Sequence, residues 1–127
     1  MNKVKNLSKI IRNLFSSEEV TIIRAKDLIH IPLKKWQYIN DKKIRYKIVK
    51  KNDNYVVSIT EWLEDDTFWK HIHEDADETI FTIAGKITST LENLERTTFG
   101  KISYKAGTIH EVKAKKGTLI SVKFDFI

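Results

Sequence analysis

A chain of 127 residues has room for one domain with a real core, and 41% hydrophobic against 31% charged residues is the composition of a globular protein. No stretch approaches the ~20 apolar residues of a membrane span, and the absence of cysteine excludes disulfides, thiolate metal sites and cysteine nucleophiles together. A net charge of +6 and a pI near 9.4 admit a nucleic-acid or acidic partner, which the distribution of charge has to decide.

Residues 1–17 form a piece of their own. Val4, Leu7, Ile10, Ile11, Leu14 and Phe15 follow a helical apolar stripe, and Lys3, Lys5, Lys9 and Arg12 supply the polar face. This predicts an amphipathic helix over 1–17 ahead of a β domain over 18–127. Such a helix packs its stripe on the domain or on a second subunit more often than on an anionic membrane. The same segment has no continuous apolar run and no small-residue cleavage site, so a cytoplasmic location is expected.

From Val20 the signals are those of strands. Val20–Arg24 and Leu28–Leu33 are short and rich in branched residues, with Pro32 marking an edge or an exit. His30 has no second ligand at metal-binding spacing and reads as a structural histidine. Ile44–Lys50 alternates apolar and basic residues, Lys51–Asn54 is a turn, and Tyr55–Trp62 returns as the second arm of a hairpin. Leu63–Thr67 is an acidic loop.

Charge is segregated along this part of the chain. Lys34, Lys35, Lys42, Lys43, Arg45, Lys47, Lys50 and Lys51 face a single acid, Asp41. Glu61, Glu64, Asp65, Asp66, Glu74, Asp75, Asp77 and Glu78 face a single base, Lys70. The basic segment 34–51 is a solvated lysine face by default. As a contact surface for nucleic acid it offers only Trp36, Tyr38 and Tyr46 as stacking platforms.

The densest chemistry lies between His71 and Gly85. Side chains at i and i+2 of a strand share a face, so His71 and His73 project together, about 7 Å apart. Thr79–Ala84 reads as the next strand, with Glu78 at its mouth and Gly85 closing it in a turn. Glu74, Asp75 and Asp77 are rivals of Glu78 as ligand or as a group orienting a histidine. Further on, Lys86–Leu91 alternates as a strand, Glu92–Arg96 is a polar turn, and Thr97–Tyr104 continues the sheet with Gly100 as a bend. Lys105–Thr108 is a tight connection, His110–Lys113 a strand, Ala114–Gly117 a turn, and Thr118–Phe126 the last strand. Many short strands with polar turns argue an all-β sandwich or barrel.

Two of these stretches, covering the last two-thirds of the chain, resemble the paired motifs of the cupin superfamily. His71, His73, four residues, Glu78, six residues and Gly85 match the first motif. Lys105, Ala106, Gly107, two residues and His110 match the end of the second, P-x-G-x-x-H, with lysine for proline. Ala114 stands where asparagine often follows, and Asp65 where the first motif begins with glycine; these departures touch turns rather than ligands.

The resemblance implies a double-stranded β-helix or jelly roll (RmlC-like), which removes most exposed sheet edges. It implies His71, His73, Glu78 and His110 as metal ligands, and a homodimer. Three imidazoles and a carboxylate suit a divalent transition metal such as Fe, Mn, Ni or Zn, whereas Ca²⁺ prefers oxygen alone. Positions left open on the ion would serve water or substrate. The expected function is a metal-dependent enzyme (dioxygenase, isomerase or lyase type) acting on a small polar or anionic metabolite. The alternative is a non-catalytic cupin that binds a small-molecule ligand, a protein or a nucleic-acid partner, because the fold alone does not fix a function. Trp62, Trp69, Phe81, Tyr104 and Phe124 are candidate pocket residues, although aromatics at such positions are more often core. No Ser-His-Asp order or glycine-rich phosphate loop competes with the metal reading.

Overall fold

The computed structural model describes residues 20–127, so the helix expected over 1–17 lies outside the described residues. Eleven strands follow: β1 Thr21–Ile22, β2 Gln37–Ile39, β3 Ile44–Lys51, β4 Tyr55–Trp62, β5 Asp66–Ile72, β6 Ala76–Ala84, β7 Lys86–Ser89, β8 Leu94–Thr97, β9 Lys101–Tyr104, β10 Ile109–Ala114 and β11 Leu119–Phe126. They make two sheets, one ordered β1-β5-β10-β7-β8 and the other β2-β3-β4-β11-β6-β9. Every pairing between named strands is antiparallel except that of β1 with β5.

Period-two alternation explains which face is inside. Along β4, Val56, Ser58, Thr60 and Trp62 are buried while their neighbours are half-buried. Their partners on β11, Val122 opposite Ser58 and Ile120 opposite Thr60, continue the inner face. Ile44, Ile48, Val56, Trp62, Ile80 and Ile87 form the driest part of the core. Trp62 satisfies its indole N–H by donating to the Asp66 carbonyl at 3.0 Å.

Three expectations change. Residues expected as a strand over Leu28–Leu33 begin instead within a 3₁₀ helix, Ala25–His30. Distant side chains decide this: Asp75 accepts from the N–H groups of Ala25 and Lys26 at 2.8 and 2.9 Å, and Lys51 Nζ donates to the carbonyls of Ile29 and Ile31 at 2.7 and 2.8 Å. His30, read as structural rather than ligating, is exposed on this helix and outside the histidine cluster. The polar turn expected over Glu92–Arg96 is partly strand, because β8 pairs with β7 at the edge of its sheet. The stretch Thr97–Tyr104 is correspondingly split, with a turn at Gly100 between β8 and β9.

Candidate metal centre

The facing sheets bring four buried residues to one point. His71 on β5 and His110 on β10 stand opposite each other in register, and His73 follows one residue after β5 ends. Glu78 comes from the other sheet. It is not at the mouth of a strand but the third residue of β6, on the inner face with Ile80 and Thr82, because β6 starts at Ala76 by pairing with β11. His71, His73, Glu78 and His110 are only 4, 5, 5 and 1% exposed, so bulk water does not solvate them. One ligand atom from each lies within 4.8 Å of all the others, a cluster that could hold a metal ion.

Hydrogen bonds orient the rings. His71 Nδ1 lies 2.7 Å from the Trp69 carbonyl, His73 Nδ1 2.8 Å from that of Ile23, and His110 Nδ1 3.1 Å from that of Thr108. A carbonyl can only accept, so each Nδ1 carries a hydrogen and the neutral ring presents a bare Nε2 lone pair. Such a second contact fixes the tautomer of metal-binding imidazoles. Aromatic packing adds to it: Tyr104 stacks on His110 with centroids 4.1 Å apart and planes 11° from parallel, while Phe124 and Phe68 lie 4.7 Å from His73 and His71.

The electrostatics are those of acceptors facing acceptors. Glu78 Oε1 is 2.8 Å from His110 Nε2 and 3.3 Å from His73 Nε2. With neutral rings, none of these three buried atoms has a donor among the described residues. A proton at His110 or a cation held by the group relieves that conflict. Burial works against a charged His110, but the hydrogen bond and charge of Glu78 outweigh it and its pKa is raised. Burial would likewise raise Glu78, yet the facing rings of His110 and His73 hold it well below the carboxylate range. Burial and the charge of His110 push His71 down to about 3, so it is neutral and ready to ligate at any ordinary pH.

The rival carboxylates are committed elsewhere. Asp75 caps the 3₁₀ helix, Asp77 accepts from the Ala106 N–H at 2.8 Å, and Glu74 is exposed. Asp77 thereby holds the turn in which Lys105 replaces the proline, and Gly107 donates to the His73 carbonyl at 2.8 Å. The carbonyls of Ile23, Trp69 and Thr108, which orient the site, escaped sequence reasoning because any residue type supplies a carbonyl.

A cavity of about 300 Å³ reaches His71, His73 and Glu78. Trp62, Trp69 and Phe124 line it as considered from the sequence. Tyr104 instead packs behind His110, its hydroxyl bonded to that of Ser89, which donates to Glu92. Phe81 lies away from the cavity, 38% exposed and beside Phe99. Within the basic segment, Arg45 and Lys47 lie over the Trp36 ring at 3.9 and 4.6 Å, and Arg45 also pairs with Glu61 at 2.7 Å. That ring already has cations on it, which makes it a poor platform for a base.

Two sheets closing over a His/His/Glu/His cluster define the class: the chain has the cupin fold, a small RmlC-like jelly roll. The similar solved structures include KdgF from Halomonas sp., with a TM-score of 0.67 and 18% identity over 73% of this chain and 86% of that one. An RmlC-like cupin from Shewanella frigidimarina NCIMB 400 has a TM-score of 0.65 and 10% identity, covering 77% and 91%. A putative acetylacetone dioxygenase from Methylibium petroleiphilum PM1 has a TM-score of 0.60 and 15% identity, covering 73% and 74%. No protein-family model matches the sequence, and no curated protein does either.

Proposed function

We propose that this protein is a metal-dependent cupin enzyme that binds a divalent transition metal through His71, His73, Glu78 and His110. The observation that carries the reading is the convergence of three buried, tautomer-fixed imidazoles and one buried carboxylate, with His73 Nε2, His110 Nε2 and Glu78 Oε1 unpartnered among the described residues. Fe, Mn, Ni and Zn all accept this mixed nitrogen and oxygen set. When bound, the ion supplies Lewis acidity and open coordination positions for a small molecule in the adjoining cavity. The protein's own part is to orient the imidazoles through their Nδ1 contacts and to shield the site from bulk water. Reaction types of the dioxygenase, isomerase or lyase kind fit such a site; the likeness to an acetylacetone dioxygenase keeps oxygen chemistry among them. A cytoplasmic homodimer with its domain beginning near residue 18 belongs to the same reading, and sedimentation velocity tests the dimer. A nucleic-acid partner at 34–51 has less support, given the cation-covered Trp36.

Elemental analysis of protein purified without chelator, beside His73→Ala, is the test. About one equivalent of a transition metal is expected in the wild type and little in the variant. Metal in neither protein, with identical melting temperatures on adding Zn²⁺, Ni²⁺, Mn²⁺ or Fe²⁺, would sink the proposal.

A further inference from the structure

The chain carries 23 lysines and arginines and a net charge of +6, yet no lysine or arginine among the described residues lines the cavity beside the cluster. The walls are apolar, with Ile23, Leu28, Phe68, Trp69, Val122 and Phe124 among them. Their polar content is neutral: Gln37, Tyr38 and Tyr46 with the hydroxyls of Ser58 and Thr60. Gln37, Tyr46 and Thr60 lie side by side in register across β2, β3 and β4. Trp69, itself part of the lining, keeps a buried indole N–H with no partner among the described residues. Such a group calls for an acceptor.

Charge balance limits what can enter. A divalent ion held by three neutral imidazoles and one carboxylate keeps one positive charge, which one negative charge on a ligand neutralises. A second anionic group would sit against apolar walls with no lysine or arginine among the described residues to pair it, at a high desolvation cost. From this, and resting on the metal site proposed above, we infer that the cavity selects a small ligand with a singly charged oxygen-donor head and an uncharged, apolar body. Neutral oxygens on that body are served by the Gln37, Tyr46 and Thr60 row and by Trp69. Polyanions such as phosphorylated or multiply carboxylated metabolites are excluded. The volume, at the lower end for small-molecule sites, favours a body of about one ring.

Three compounds sharing a hydroxamate head test this on the full-length, cobalt-loaded protein, read by visible absorption of the metal. They are acetohydroxamate, benzohydroxamate and 4-sulfobenzohydroxamate. Benzohydroxamate should bind at least about tenfold more tightly than acetohydroxamate, from burial of the ring. It should bind at least about tenfold more tightly than its sulfonated form, from the unpaired charge. Gln37→Arg, on a half-buried edge strand, should narrow the second gap; the wild-type comparison stands alone if that variant misfolds. Equal or tighter binding of the sulfonate, or no binding of any of the three to protein holding a full equivalent of cobalt, overturns the inference while leaving the metal site intact. Failure to take up cobalt, or any other transition metal, would remove the metal site itself, and the inference with it.

Discussion

Glu78 is the residue on which the site turns. In the protein without a bound ion its charge favours a proton on His110 and raises that pKa, because Oε1 lies within hydrogen-bond distance of the ring. Replacing it with the isosteric glutamine removes the charge but leaves an amide that can donate to the bare Nε2 atoms. Glu78→Gln is therefore expected to change the metal-free melting temperature little, since an acceptor-rich cluster gains a donor. The pKa of His110 should then fall from its raised value, because the hydrogen bond and charge of Glu78, the largest opposition to burial, are gone. Metal affinity should fall by at least about 100-fold through loss of an anionic ligand. NMR titration of His110 and metal competition assays read the two effects separately. A variant that keeps wild-type metal affinity would remove Glu78 from the ligand set.

At the scale of elements, short turns decide whether the two sheets meet correctly. Gly85 joins β6 to β7 at φ +84°, and Gly107 sits before β10 at φ +86°, conformations that an L side chain resists. They differ in space. A Cβ at Gly85 would come within 2.7 Å of Thr118 Oγ1 and 3.0 Å of its Cα, whereas one at Gly107 meets nothing within 4 Å. Gly85→Ala should cost about 2–4 kcal/mol, from strain and overpacking together, and Gly107→Ala about 1–2 kcal/mol from strain alone. Urea unfolding of the two variants measures the difference; equal costs would mean that Thr118 gives way freely. The 3₁₀ helix depends in the same way on Asp75, whose two oxygens hold the Ala25 and Lys26 N–H groups. It also carries the chain away from Ile23, whose carbonyl orients His73.

For the molecule as a whole, the buried cluster links stability to both protons and metal. Without metal, His110 with its raised pKa contributes stability that is complete below 6.5 and fades as pH rises through the folded value. His71, lowered to about 3, works on the other side: the unfolded chain takes up its proton below 6.5, so stability falls as the solution is acidified toward 3. Glu78 holds its full contribution above 4.5 and loses it progressively as pH falls below that value through its lowered folded pKa. The metal-free protein should consequently be most stable near pH 6.5, a maximum that thermal melts across pH 4 to 9 would reveal. Bound metal competes with the proton on His110, so the metal-dependent increment should grow with pH. Ion at about 100 times its dissociation constant should add about 2.7 kcal/mol, or roughly 10 °C, and chelator should reverse it. An increment that shrinks with rising pH would contradict ligation by the histidines.

The sequence by itself determined what repeats at short range. Alternation laid out the hairpin of β3 and β4, the i, i+2 spacing aligned His71 with His73, and the motif spacing of Glu78 and His110 pointed to a jelly roll. These are properties of neighbouring residues on a pleated chain, legible wherever one face is buried. It was silent where distant partners decide the outcome. Leu28–Leu33 looks like a strand, but Asp75 and Lys51, remote in the chain, wind its first half into a 3₁₀ helix. β8 has no alternation to read because it is an edge strand with mostly exposed side chains. Only the tertiary structure set Glu78 inside β6, sent Asp75 and Asp77 to backbone N–H groups, and aimed three backbone carbonyls at the Nδ1 atoms. It also left the cavity lined by no lysine or arginine among the described residues of a basic protein. Which charges reach a cavity depends on how two sheets stack, and no local pattern of residues encodes that.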